Sequence, residues 1–287
     1  MITQKEIIKA SQYHNVPKST VDKDWVLGHL LNALFSFDEI RQQFVFKGGT
    51  CLRKVYFDHY RFSEDLDFTL QDRKFPIDEK IIKRLIQRAE SISDALFTLD
   101  YIKPTKSEDK DQGYEIKIKF WGADHNPGQK PLPPRRWQTS VKLDISYSES
   151  LLLQPVDKEL FHPYSDKDKV TESVSAYKLE EIVAEKLRSL IQRNRPRDIY
   201  DSWYLFKHQN DTIDFGKVKD TLLIKSRNKG IQVESVNQFV NDSKREINRR
   251  AWKSSLQHQI PTVKLPDFDE VYDQLEGFTI KLMKDLS

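Results

Sequence analysis

The sequence predicts an α+β fold, with a mixed β-sheet domain flanked by helices over residues 1–160 and a mainly helical domain over 161–287 that closes a cleft. Three observations carry this reading. Segments of period-two alternation, EDLDFTL at 64–70, YEIKIKF at 114–120 and SVKLDISY at 140–147, all fall in the first half. Apolar residues at helical spacing flank them on both sides. From about residue 175 nearly every segment reads helical, so the change of character falls at about 150–175.

Taken in order, DKDWVLGHLLNALFSF at 22–37 places apolar residues at 27, 30, 31 and 34, a helical spacing. FVF at 44–46 is a short strand that stops at Gly48-Gly49. TCLRKVY at 50–56 predicts the first turns of a helix with Thr50 as N-cap. EDLDFTL is a strand, and an amphipathic helix follows over about 77–97. The two remaining alternating strands are separated by GADHNPGQKPLPPRRW, a loop by its Pro and Gly content. YKLEEIVAEKLRSLIQR opens the helical half.

The composition is polar but foldable, with 38% hydrophobic and 32% charged residues, and no internal repeat or low-complexity segment interrupts it. A net charge of +3 is too small to argue for a nucleic-acid partner, so that argument needs local clusters. The single cysteine, Cys51, excludes an intramolecular disulfide and a zinc site of several cysteines. The first residues lack a signal-peptide core and no run reaches membrane-spanning length, so a soluble, cytoplasmic protein is expected.

Side chains alternate faces along a strand, so Asp65 and Asp67 point one way while Leu66 and Phe68 point the other. In the 140–147 strand Val141, Leu143 and Ile145 share a face, and Asp144 projects oppositely with Lys142 and Ser146. If these strands are neighbours, three carboxylates converge, a set that suits hard divalent cations. Two such ions about 3.5–4 Å apart support in-line phosphoryl displacement. The plain alternative is that alternating acids form a solvated strand face. Gly48-Gly49-Thr50 shifts the balance, because backbone N–H groups at a glycine-flanked helix start receive phosphate.

FKGGTCLRKVYFDHYRFSEDLDF resembles the motif region of the nucleotidyltransferase superfamily: a Gly-Gly turn, a helix, then a D-x-D strand. More closely it is similar to the AbiEii toxin family, which reads K-G-G-T-x-L and then R-x-S-x-D-x-D. The upstream DKDWVLGHLLNALF and the downstream YKLEEIVAEKLRSLIQRNRPRDIYD share the likeness, which runs from about residue 20 to 206. The resemblance implies a nucleotidyltransferase-type catalytic domain. Gly48, Gly49 and Thr50 fall on its phosphate-gripping turn, Asp65 and Asp67 on its metal pair, and Asp144 at its third acid.

On the helix over 178–191, Leu179, Ile182, Val183, Leu187 and Leu190 form an apolar arc, and Lys186 lies inside it. A buried ammonium needs a partner. Otherwise it must snorkel to solvent; the partner is either an acid, as a structural ion pair, or a triphosphate in a polar cleft. The resemblance favours the triphosphate, since the family's A-E-K lysine serves the nucleotide site; Lys178, at the edge of the arc, is the weaker candidate. Asp198 matches the acid of the family's R-D-x-[YF]-D segment and Asp201 lies one turn on. One of the two is expected at the nucleotide or Lys186, and the other at the surface or a cap.

Three basic clusters are candidate RNA contacts: Lys130, Arg135, Arg136 and Trp137; Arg193, Arg195 and Arg197; and residues 244–264, with six Lys/Arg and one acid, Glu246. Solvated surface charge is the plain alternative for each. The expected activity is metal-dependent transfer of an NMP from an NTP to an acceptor, with two Mg²⁺ ions (Mn²⁺ as the alternative) on Asp65, Asp67 and Asp144. The resemblance implies a toxin of a toxin–antitoxin or phage-defence pair, a cognate antitoxin, and the tRNA 3′ end as acceptor, with no membrane partner. The rivals are a D-x-D nucleotide-sugar glycosyltransferase and a catalytically silent nucleotide- or RNA-binding module.

Overall fold

The computed structural model describes residues 1–107, 110–126, 128–209, 212–261 and 264–284. It divides into two compact units, one of Met1–Leu151 with Pro155–Tyr177 and one of Leu152–Gln154 with Lys178–Ser287.

The first unit opens with three helices, α1 (Gln4–His14), α2 (Lys18–Phe35) and α3 (Asp38–Arg41). Strand β1 (Phe44–Lys47) runs into α4 (Gly48–Cys51), which continues as a π-turn over Leu52–Tyr56. Then come β2 (Asp65–Leu70), α5 (Glu79–Ser93), β3 (Leu96–Ser107), β4 (Lys110–Trp121), β5 (Ser140–Ser146), β6 (Val156–Lys158) and β7 (Val174–Ala176). The seven strands form one sheet in the order β3-β4-β5-β2-β1-β7-β6. β2 pairs antiparallel with β1 and parallel with β5, and β1 pairs parallel with β7, so the sheet is mixed.

One sheet face is apolar: Phe44, Phe46, Leu66, Phe68, Ile116, Ile118, Phe120, Val141, Leu143 and Ile145 are all buried. α2, buried over most of its circumference from Val21 to Phe35, packs on α1 and α5. This is the hydrophobic period-two face that the sequence marks on β2, β4 and β5.

Two local expectations are corrected. Thr50 is not an N-cap: Lys47 occupies that position, and Thr50 is the third residue of α4. The helix expected over 77–97 stops at Ser93, because Asp94 turns left-handed at φ 61° and the chain enters β3. β3 escapes a period-two reading because a register shift between Leu99 and Tyr101 breaks its alternation. It also carries Pro104, which an edge strand tolerates.

The second unit is helical: α6 (Leu179–Gln192), α7 (Pro196–Gln209), α8 (Phe215–Arg227), α9 (Asp242–Leu256) and α10 (Phe268–Lys284). The backbone N–H groups of Leu152 and Leu153 donate to the buried Glu181 carboxylate at 3.0 and 2.9 Å, which holds that segment to α6. Lys225 of α8 joins Glu181 and Glu185 at 2.9 Å each.

Candidate active site

β2 and β5 are hydrogen-bonded neighbours, and their register sets Asp144 directly beside Asp67, with Asp65 beside Lys142. The three predicted carboxylates therefore share one sheet face, and all three are half-buried. The same register row extends on both sides. Lys47 of β1 sits opposite Asp67, Glu115 of β4 opposite Asp144, and Lys103 of β3 opposite Glu115. Burial, followed by the charges of Asp67, Asp65 and Glu115, pushes the Asp144 carboxyl up to about 6. A cation bound there would relieve the mutual repulsion of these acids.

Glu115 and Lys47 were not singled out from the sequence. Glu115 lies in the alternating YEIKIKF strand, and only the pairing of β4 with β5 brings it to the acids. It accepts a 2.5 Å hydrogen bond from Tyr101 Oη and pairs with Lys142 Nζ at 3.2 Å. Lys47 is 9% exposed, with its ammonium 5.4 Å from the Tyr177 ring centroid.

The Gly-Gly turn abuts the acids. Gly48 has φ +80°, and a Cβ there would lie 2.2 Å from Asp67 Oδ2. Any side chain at 48 collides with the carboxylate, so glycine is required both for backbone conformation and for space. Thr50 is buried, and its hydroxyl donates to the Asp65 carbonyl at 2.5 Å, tying the turn to the start of β2. Beneath the turn, the fully buried Asp24 receives Arg53 Nε at 2.6 Å and Lys54 Nζ at 2.7 Å. Burial opposes the Asp24 charge, but these two cations outweigh it and hold the carboxyl well below its ordinary value.

Lys186 is buried with acid partners on α7: Asp201 at 2.7 Å and Asp198 at 3.5 Å. Arg193 completes the group with two 2.9 Å hydrogen bonds to Asp198. Both aspartates are buried, so the expectation that one would lie at the surface or a cap is corrected.

The basic clusters are altered by their surroundings. Arg135 and Arg136 are exposed on a short 3₁₀ turn, but Trp137 is buried and donates to the Leu132 carbonyl, so its ring offers no stacking platform. Arg195 and Arg197 are exposed, whereas Arg193 is committed to Asp198. In the 244–264 stretch, of which residues 262 and 263 lie outside the described residues, Arg245 pairs with Asp269 and Asp273 of α10, and Arg249 with Asp269. The local count of one acid missed these, because they arrive from another helix.

A second group with ligand-like spacing is His29, His162 and Asp166. Each imidazole Nε2 lies 3.1 Å from a different Asp166 oxygen, and the Trp25 indole N–H donates to both. Both Nδ1 atoms are buried without a partner. Burial pushes His162 down to about 4. The group is therefore a hydrogen-bonded anchor between α2 and the 159–170 segment.

The family model of the AbiEii nucleotidyl transferase toxin, type IV toxin–antitoxin system, matches residues 29–274. The chain belongs to the AbiEii nucleotidyltransferase toxin family. The match reaches well past residue 206, where the motif resemblance ended, so most of the helical unit is part of the family's architecture. No curated protein matches the chain. Among solved structures, the fold is similar to MenT4, a nucleotidyltransferase toxin from Mycobacterium tuberculosis, with a TM-score of 0.66, 18% identity, and 99% of this chain and 92% of that one covered. It is also similar to JHP933 from Helicobacter pylori, with a TM-score of 0.57, 18% identity and 94% of each chain covered. As an AbiEii protein the chain is a nucleotidyltransferase of a toxin–antitoxin type, which implies an NTP substrate and an antitoxin partner. Among the described residues no helix is long and apolar enough to cross a membrane.

Proposed function

We propose that this AbiEii protein transfers an NMP from an NTP to the 3′ end of an RNA, with tRNA the preferred acceptor, and that Asp65, Asp67 and Asp144 form its catalytic centre. The observation that carries the proposal is the register of β2 against β5, which sets three acids on one face beside a glycine turn that admits no side chain at Gly48. The acceptor oxygen attacks the α-phosphorus, the bond to the β-phosphate bridging oxygen breaks, and pyrophosphate leaves. Asp144, beside Asp67 on that face, takes the proton from the acceptor hydroxyl.

The donor set, three carboxylates on one sheet face, fits two Mg²⁺ or Mn²⁺ ions held by Asp65, Asp67 and Asp144. Bound there, such ions activate a hydroxyl and stabilise the departing oxygens. Gly48 and Gly49 admit phosphate close to the backbone, and Thr50 holds the turn against β2. On the likeness of its A-E-K segment to the family's, we assign Lys186 to the triphosphate's charge, with Asp198 and Asp201 orienting it. Arg135, Arg136 and Arg195 are exposed cations for the RNA backbone; Arg193, paired with Asp198, supports the Lys186 group.

Incubation with each radiolabelled NTP, Mg²⁺ and total RNA tests this directly. Label on RNA with stoichiometric pyrophosphate is expected. Label on protein with RNA untouched across all four NTPs overturns the RNA acceptor, and absence of pyrophosphate overturns nucleotidyl transfer.

A further inference from the structure

The polar face of the sheet does not end at the acids. From Asp144 and Glu115 it continues across β5, β4 and β3, and there it is basic. Lys142 lies two residues before Asp144 on β5, and Lys117 and Lys119 follow Glu115 on β4 at period two, so all three share the face of the acids. Lys103 of β3 stands opposite Glu115. Two carboxylates lie among them. Asp100, at the register shift of β3, pairs with Lys117 at 3.2 Å and Lys119 at 3.4 Å, and Glu115 pairs with Lys142. Four lysines against two carboxylates leave this patch positive. All four side chains reach solvent: Lys103 is exposed, and Lys119, Lys117 and Lys142 keep 21%, 30% and 43% of their side-chain surface. Ion pairs at such a surface are weak, so a phosphate can compete for each ammonium.

The plain alternative is a solvated strand face laced with ion pairs. The strand order favours more than that. In the run β4-β5-β2-β1, the acid-bearing strands β5 and β2 lie between the β4 lysines and β1, whose chain runs on into the glycine turn. β1 is antiparallel to β2 with Lys47 opposite Asp67, so the turn continues toward the row of Asp65, Lys142 and Lys117. The Thr50 hydroxyl on the Asp65 carbonyl keeps it there. Across the sheet this row therefore reads glycine turn, acid, lysine, lysine. In an in-line displacement the leaving and attacking oxygens stand on opposite sides of the phosphorus. With pyrophosphate at the glycine turn and the transferred phosphorus at the acids, the attacking hydroxyl must come from the β4 side. β4 lies two strand spacings from β2, about 10 Å, which puts its lysines beside the last phosphates of an acceptor strand.

We propose that Lys103, Lys117, Lys119 and Lys142 receive the sugar-phosphate backbone of the acceptor RNA and lead its 3′ hydroxyl to Asp144 from the β4 side. This rests on the reading of the site as an RNA nucleotidyltransferase. The test uses the full chain in Mg²⁺ and a 5′-labelled single-stranded RNA of about 12 nucleotides, followed by anisotropy across a salt series, with a thermal melt of each variant. Two variants carry opposite expectations. Lys117→Gln with Lys119→Gln removes two phosphate partners, so it should weaken RNA about 20-fold at roughly 0.1 M salt and flatten the logarithmic salt slope by about 1.4. Asp100→Asn removes the carboxylate that competes for both lysines, so it should tighten RNA, a sign that a purely structural role has no reason to give. NTP affinity, read by calorimetry, should stay at the wild-type value in both. Unchanged RNA affinity and slope in the folded double variant, or weaker RNA in Asp100→Asn, overturns the lysine path alone. If the double variant does not fold, Asp100→Asn decides: tighter RNA with wild-type NTP affinity supports the path, and unchanged or weaker RNA overturns it. If wild type releases pyrophosphate but neither binds nor labels RNA, the RNA acceptor falls and this inference with it. If wild type releases no pyrophosphate with any NTP, the reading of the site itself falls.

Discussion

Gly48→Ala tests the site's geometry most sharply, because its two effects can be worked out separately. The backbone at 48 has φ +80°, where an alanine costs about 1–2 kcal/mol relative to glycine. For a chain of this size that lowers the Tm by a few degrees, at roughly 2–4 °C per kcal/mol. The steric effect is larger. The new methyl would sit 2.2 Å from Asp67 Oδ2 and 2.9 Å from its Cγ, so the carboxylate must retreat by about 1 Å to reach ordinary contact. Misplacing a reacting group by that distance lowers turnover about 100-fold. Gly49→Ala is the matched control, since position 49 has no left-handed φ and a Cβ there meets Arg61 and Ser63 rather than one of the acids. It should lower kcat far less than Gly48→Ala does. Pyrophosphate release with total RNA as acceptor, beside melts followed by circular dichroism, measures both. Near wild-type kcat in Gly48→Ala, or equal kcat losses at 48 and 49, would refute the steric argument.

Asp67→Asn should abolish transfer while holding or raising the Tm, because it removes one of the charges that push Asp144 up; a large fall in Tm would show instead a structural acid. Lys186→Ala should cost about 3–5 kcal/mol, since it takes from the buried Asp201 its ammonium at 2.7 Å while Asp198 keeps Arg193; adding Asp201→Asn should recover part of that, and transfer still absent in the recovered protein would show a nucleotide role. Asp22, raised by burial to about 6, binds its proton more tightly folded than unfolded, so its stabilising contribution is complete below about 3.8 and is lost as pH rises through 6, about 3 kcal/mol in all. The Tm of Asp22→Asn minus that of wild type should therefore climb between pH 4 and 7, and a flat difference refutes the shift. Arg135→Glu with Arg136→Glu should raise the KM for RNA and flatten its salt dependence with the KM for NTP unchanged; equal effects on both substrates would remove these residues from the RNA path.

The site was legible where strand alternation alone determines direction. Asp65, Asp67 and Asp144 each follow from period two, and so does the apolar reverse face that fixes the sheet against α2. Alternation assigns a face but not a neighbour. That Asp144 lies beside Asp67 depends on the parallel pairing of β2 with β5, a non-local contact, and Glu115 enters the row only because β4 pairs on β5's other edge. The R-x-S-x-D-x-D spacing held Arg61 in plain view, yet no local pattern shows that a residue 12 positions beyond Gly49 folds back against it.

Charge was the least legible property, because a side chain's partners come from other elements. Lys186 was recognised as an ion in an apolar arc, which is a local fact. Its neutralisation by Asp201 and Asp198 depends on how α7 lies on α6. The α9 arginines read as a basic stripe until Asp269 and Asp273 of α10 are set against them. Gly48 and Gly49 illustrate the same limit from the other side. The sequence shows two adjacent glycines with one apparent purpose, while the structure gives them different ones: a left-handed backbone pressed against Asp67 at the first, and a cleared space for Arg61 at the second. Two adjacent glycines can thus encode two separate constraints, one of backbone conformation and one of space.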